Sequence, residues 1–128
     1  MGLDMYAWVI EKKQASRLKG DVDVKMPEKG RTELHYWRKH HNLHGWMEQL
    51  YIKKGGKEEF NCATIRLTLE DLDQLEHDLK AGTLPMTTGF FFGNFPPNKN
   101  SLKNDMAFIE KARNAINDGK AVFYDSWW

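Results

Sequence analysis

Tyr36-Trp37-Arg38-Lys39-His40-His41-Asn42-Leu43-His44-Gly45-Trp46 gathers three of the chain's five histidines and two of its five tryptophans into eleven residues. How this stretch folds decides the architecture around it. Thr32 is a suitable N-cap, Glu33 puts an acid in a first turn where the dipole favours it, and Gly55-Gly56 supplies a stop. The expectation is therefore one helix from Thr32 to about Lys54. At about 100° per residue, Tyr36, Trp37, His40, Leu43, His44, Met47, Leu50 and Tyr51 share one arc. Arg38, His41, Asn42, Gly45 and Gln49 share the other.

Upstream, Gly2 to Glu11 alternates. Leu3, Met5, Ala7 and Val9 fall on one side, and Asp4, Tyr6, Trp8 and Ile10 on the other. Period 2 with aromatic and β-branched residues predicts a strand. Large apolar groups on both sides predict a central one. Asp4 is the odd member, either capping the strand start or facing a site. Lys12 to Arg31 is polar, holds Gly20, Pro27 and Gly30, and reads as a loop with a short edge segment at 22–24.

Downstream, Phe60 to Leu69 reads as a strand. Thr68 and Asp71 form a capping box with Asp in place of Glu. They open a helix whose stripe is Leu69, Leu72, Leu75, Glu76 and Leu79, with Gly82 as its C-cap. Leu84 to Asn98 carries four phenylalanines between glycines and prolines and cannot be helical; Phe90 to Phe92 is a candidate short strand. A third helix runs from Ser101 to about Asp118, with Leu102, Met106, Ile109, Ala112 and Ile116 inward. Gly119 ends it, and Ala121 to Tyr124 is a last strand. The order predicts one α+β domain over 1–128, with a small three- to four-stranded, mostly antiparallel sheet and about three helices mostly on one face.

The totals exclude several classes. With 128 residues and a formal charge of +1, no strong field draws the chain to nucleic acid or a membrane surface. No window approaches the roughly 18 apolar residues of a membrane span, and residues 1–12 lack the pattern of a secretory signal. The single Cys62 allows no intrachain disulfide and fits a reducing, cytoplasmic setting.

His40 and His44 have the i, i+4 spacing of zinc-binding pairs, but His41 stands where such a site carries its glutamate base, and no third ligand is obvious. The reading is no metal and no cofactor. No serine, cysteine or kinase signature marks a catalytic residue. Arg38 beside Trp37 could grip a planar or phosphate-bearing ligand by fork and stacking, or pair with an acid. Gly89 to Gly93 frames three phenylalanines that are either core or the aromatic wall of a pocket. Trp127 and Trp128 either pack back or anchor a partner, a second copy of the chain included.

Gly2-Leu3-Asp4-Met5-Tyr6, Tyr36-Trp37-Arg38-Lys39 with His44 and Trp46, Gly89-Phe90-Phe91-Phe92-Gly93, and Tyr124 to Trp127 together resemble a family of small, functionally uncharacterised bacteriophage proteins. The resemblance spans most of the chain. It implies expression in the cytoplasm of an infected bacterium, as an accessory protein of host takeover or anti-defence. Members tend to carry an asparagine shortly after Trp-Arg-Lys; His41 holds that place here, with Asn42 beside it.

The functional expectation is a pocket for a small planar or anionic ligand such as a nucleotide, built from Asp4, Tyr6, Trp37, Arg38, His41, His44 and Phe91. One alternative is a protein–protein inhibitor of a host enzyme, acting through the polar loop or the terminal tryptophans. Another is a phosphodiesterase using His44 with His40 or His41, oriented by Asp4. The expected partners are thus a nucleotide-like small molecule or a host protein, with neither specific nucleic acid nor membrane.

Overall fold

The computed structural model of the chain describes residues 4–15, 18, 22, 30–38, 41–57, 63–81 and 99–127. Four strands and four helices follow in the order β1 (Asp4–Ile10), α1 (Lys12–Ala15), β2 (Thr32–Arg38), α2 (His41–Lys53), β3 (Ile65–Leu67), α3 (Leu69–Ala81), α4 (Lys99–Asn117) and β4 (Ala121–Trp127). The strands form one sheet of order β2-β1-β4-β3 in which every pairing is antiparallel. This is an α+β fold of the expected kind.

β1 lies inside the sheet because both of its sides are apolar enough to be covered. Met5 and Ala7 are fully buried among the helices. Ile10, on the other side, joins Ala121, Phe123 and Leu18 in a smaller cluster. The main core is built by α2, α3 and α4 laid on one face: Leu43, Met47 and Tyr51 from α2, Leu72, Leu75 and Leu79 from α3, and Phe108, Ile109 and Ala112 from α4. Removing a side chain such as Leu72 or Phe108 from water contributes about 1.5–3 kcal/mol each.

The capping box forms as the sequence predicts. The Thr68 backbone N–H donates to Asp71 Oδ2 at 2.9 Å, and the Asp71 N–H donates to Thr68 Oγ1 at 3.3 Å. Lys54 Nζ then donates to Asp71 Oδ2 at 2.5 Å and to the Arg66 carbonyl at 2.7 Å, joining the end of α2 to the start of α3. Gly119 ends α4 with φ of 87°, a left-handed value that suits glycine.

Several boundaries differ from the sequence reading. The single helix from Thr32 to Lys54 is two elements: residues 32–38 are the edge strand β2, and the helix begins at His41. Tyr36, Trp37 and Arg38 are therefore strand residues, and the arc that joined them to Leu43 and His44 does not exist. Lys12–Ala15 is a turn of helix where a loop was expected, and Val22 makes an isolated bridge to Ile65. α4 starts two residues early, β4 runs on to Trp127, and Leu69 is 39% exposed and not inward. The expectations for Phe90 to Phe92, His40, Cys62, Gly82 and Trp128 fall outside the described residues.

Candidate functional site

Antiparallel register fixes which side chains share a face. Asp4 is level with Arg38 on one neighbour and Trp127 on the other; Tyr6 is level with Tyr36 and Asp125; Trp8 with Glu33 and Phe123. Successive residues of a strand point to opposite faces. These three rows therefore lie on the face away from α2, α3 and α4. Trp37, Met5 and Ser126 form the matching row on the helix side, and His35, Ala7 and Tyr124 the next.

The outer face is aromatic and ionised. Tyr6 stacks on Trp8 with ring centroids 5.5 Å apart and planes 19° from parallel, and meets Tyr36 at 5.2 Å. Arg31 lies over the Trp8 ring at 4.4 Å. The Trp8 indole N–H donates to Asp125 Oδ1 at 3.1 Å, and the Tyr36 hydroxyl donates to Asp4 Oδ1 at 2.6 Å. Burial raises the Asp125 carboxyl's pKa, opposed by that indole and by Arg31. Partial burial and then the charges of Asp4, Glu33 and Asp125 raise the Tyr6 phenol's. Trp127 is 63% exposed, Tyr36 43%, and Arg38 is exposed. Arg38 forms no ion pair among the described residues.

The helix side holds a different polar group, buried at Trp37, His44, Asp105 and Tyr124 and half-buried at His35. Trp37 is buried and donates its indole N–H to the buried Asp105 at 3.0 Å, while His35 and Phe108 pack against its rings. His44 is 1% exposed and shares a 3.0 Å hydrogen bond, through Nδ1, with the buried Tyr124 hydroxyl. Burial lowers the His44 pKa to about 4, so its imidazole is neutral. Burial drives the Tyr124 phenol well up. Burial, followed by the charge of Lys111, lowers His35 as well.

The seven expected site residues are thus not brought to one place. Asp4, Tyr6 and Arg38 share the outer face. Trp37 and His44 lie beneath the sheet, inside the core. His41 opens α2, and its side chain and all of Phe91 are outside the described residues. Tyr36, Trp8, Asp125 and Trp127 join the first three. The signal for Tyr36 is the alternation of Thr32 to Arg38 read at period 2. Continuing the alternation of the last strand to its end places Asp125 and Trp127 on the same side as Phe123.

The clefts recorded among the described residues lie away from this face. A cleft of about 390 Å³ between α2 and α3 is lined by Trp46, Lys53, Glu70, Asp71 and Asp78 among others. Its Trp46 indole N–H already donates to Asp78 Oδ2 at 2.8 Å. Among the described residues no group of three His, Cys, Asp or Glu side chains could hold a metal ion. Nor is any helix there long and apolar enough to cross a membrane. No family model, no curated protein and no solved structure matches the chain.

Proposed function

We propose that the protein is a binding module whose outer sheet face receives a planar ligand of the nucleotide class. The observation that carries this is the juxtaposition of exposed Trp127 and Tyr36 with Arg38 and Asp4 on a face that the three long helices leave uncovered. Rings stack on indole and phenol faces, and such stacking is worth about 1–3 kcal/mol per base. A guanidinium at the rim suits a phosphate, which its fork can hold in two bonds. Asp4, Glu33 and Asp125 gather around Tyr6, so the anionic part of the ligand belongs at the Arg38 rim and the ring over the centre.

Among the described residues this face carries no histidine, serine or cysteine, which suits binding without turnover. Of the hydrolase reading's histidines, His44 is buried and neutral, while His40 and the His41 side chain lie outside the described residues. Sequestration of a nucleotide signal would serve the phage-accessory role that the motif resemblance suggests, in the cytoplasm of an infected host. Native mass spectrometry of the chain mixed with a nucleotide extract tests the proposal. Retained nucleotide that disappears in Arg38→Ala and Trp127→Ala, both still folded by circular dichroism, supports it. An empty spectrum across the extract rejects it.

A second reading is favoured by Trp127 alone. Tryptophan is prominent among the residues that dominate the energetics of protein interfaces, and the Trp127 indole is 63% exposed at the end of β4. On this reading the face grips a host enzyme and inhibits it. A saturable inhibition of one purified host enzyme, lost in Trp127→Ala, would select it over small-molecule binding.

A further inference from the structure

The two edges of the sheet are not alike. At the β3 edge, Val22 bridges Ile65. At the other, β2 has no neighbour beyond β1 among the described strands. An edge of that kind presents backbone N–H and C=O groups with which another strand can pair. β2 also carries two exposed charges, Glu33 and Arg38. Neither forms an ion pair among the described residues.

The register of β2 decides what these charges fit. Tyr36 and Arg38 are level with Tyr6 and Asp4 on the outer face, and His35 and Trp37 with Ala7 and Met5 on the helix side. Strict alternation would send Glu33 to the helix side as well. The register slips between Ala7, level with His35, and Trp8, level with Glu33. Leu34 is thus the extra residue of a bulge, and Glu33 returns to the outer face. With Leu34 discounted, Tyr36 stands midway between Glu33 and Arg38, and all three share a face.

That spacing is self-complementary. A second β2, turned end for end about an axis through Tyr36 and perpendicular to the sheet, sets Tyr36 opposite Tyr36, Trp37 opposite His35, and Arg38 opposite Glu33. The last pair occurs twice, once at each end. Each bulge then faces a single residue, as it already does on β1. Opposed residues of antiparallel strands share a face with Cβ atoms about 4.5–5.5 Å apart, so each guanidinium stands beside a carboxylate. A slip of one residue would set outer-face side chains against helix-side ones. A slip of two would set Tyr36 against Arg38 or against Glu33, and would join no opposite charges.

We propose that a second copy of this chain occupies the β2 edge, in a two-fold pairing about Tyr36 with Arg38 of each copy on Glu33 of the other. Such a contact uses the same patch on both copies and closes at two. The two sheets run on as one, and both outer faces stay open. A carboxylate takes at most two of the five N–H donors of a guanidinium, which leaves donors for a ligand. The pairing therefore goes beyond the nucleotide reading and does not depend on it.

Sedimentation velocity of the full chain at low salt, from about 1 μM to about 1 mM, tests the pairing. A monomer–dimer equilibrium is expected within that range. Glu33→Arg and Arg38→Glu should each weaken it about tenfold or more, because each sets like charges together at both ends. Mixed in equal amounts, the two variants should associate with one another, since every contact between them is again Arg on Glu. A variant that had merely lost its fold could not be rescued in this way. A chain monomeric throughout means that the bulge and the charges only guard the edge, and overturns the proposal. A dimer untouched by both reversals, or variants that stay apart when mixed, overturns it too.

Discussion

The Trp37 indole N–H donates to Asp105 Oδ1 at 3.0 Å, which ties the edge strand β2 to α4 inside the core. Among the described strands β2 pairs with β1 alone. Its second attachment is this bond and the packing of His35 and Trp37 on Phe108. The placement of Tyr36 and Arg38 on the opposite face depends on it, since one strand carries all four residues.

Asp105→Ala should accordingly destabilise the fold by about 1–3 kcal/mol, because a buried indole N–H loses its acceptor. In a Trp37→Phe background, where the indole donor is already gone, the same change should cost about 1 kcal/mol less. Urea denaturation of the four proteins measures the difference. Strict additivity would mean that the two side chains do not act together.

The link between α2 and α3 makes a graded prediction. Thr68→Ala removes one half of a capping box and should cost about 1 kcal/mol. Asp71→Ala removes the other half and also strands Lys54, whose side chain is only 13% exposed, so about 2–3 kcal/mol is expected. Lys54→Met added to Asp71→Ala should recover part of that loss, because no unpaired ammonium is then left half-buried. Thermal melts read the order; Thr68→Ala proving the more damaging change would contradict it.

Much of this fold is legible in the residues themselves. The alternation at β1, the capping box and leucine stripe of α3, and the glycine stop of α4 each follow from one local rule. β2 is not legible in the same way. Its polar and apolar residues fail to alternate because both faces are used: Trp37 fills the core with the half-buried His35 packed on it, and Tyr36 lines the aromatic outer face. With no clean period 2, a helical arc through Trp37, His40 and His44 fits equally well. Between Arg38 and His41 the sequence carries no glycine, proline or capping hydroxyl to mark the change. That one substitution of helix for strand also scatters the expected site. Neighbours on a helix lie about 100° apart and can serve one ligand, whereas neighbours on a strand point to opposite faces. Trp37 and Arg38 are separated by the sheet for that reason alone. Asp4, Tyr6 and Arg38, which do share a face, are those whose side the first strand's alternation and its register with β2 determine.

The Tyr36–Asp4 hydrogen bond should be visible in solution as a titration. The Asp4 carboxylate, first by accepting this bond, raises the Tyr36 pKa above that of an ordinary phenol. Asp4→Asn removes the charge and should bring the Tyr36 resonance, followed by NMR on tyrosine-labelled protein, back toward the ordinary phenolic value. Arg38 acts in the opposite sense, so Arg38→Ala should move Tyr36 further up. A Tyr36 titration unaffected by Asp4→Asn would mean that the bond does not form in water.

His44 gives the fold a defined sensitivity to acid. Its folded-state pKa of about 4 lies below the ordinary 6.5. Between those values the unfolded chain binds a proton that the folded chain does not, so stability falls as pH falls. Above about pH 6.5 the imidazole is neutral in both states and the full stability is present. Each pH unit between the two values is worth about 1.4 kcal/mol. The loss from this one residue should reach roughly 2 kcal/mol near pH 5 and on the order of 3 kcal/mol once the pH falls below the folded value. His35 is depressed in the same direction and adds to the slope, so the informative quantity is a difference between two proteins. His44→Gln keeps a neutral hydrogen-bonding group beside the Tyr124 hydroxyl and cannot titrate. Urea midpoints at about pH 7.5 and about pH 5 should show the unaltered chain losing roughly 2 kcal/mol more than this variant. Parallel losses in the two proteins would mean that water reaches the imidazole, and would reopen the helix side of the sheet as a site.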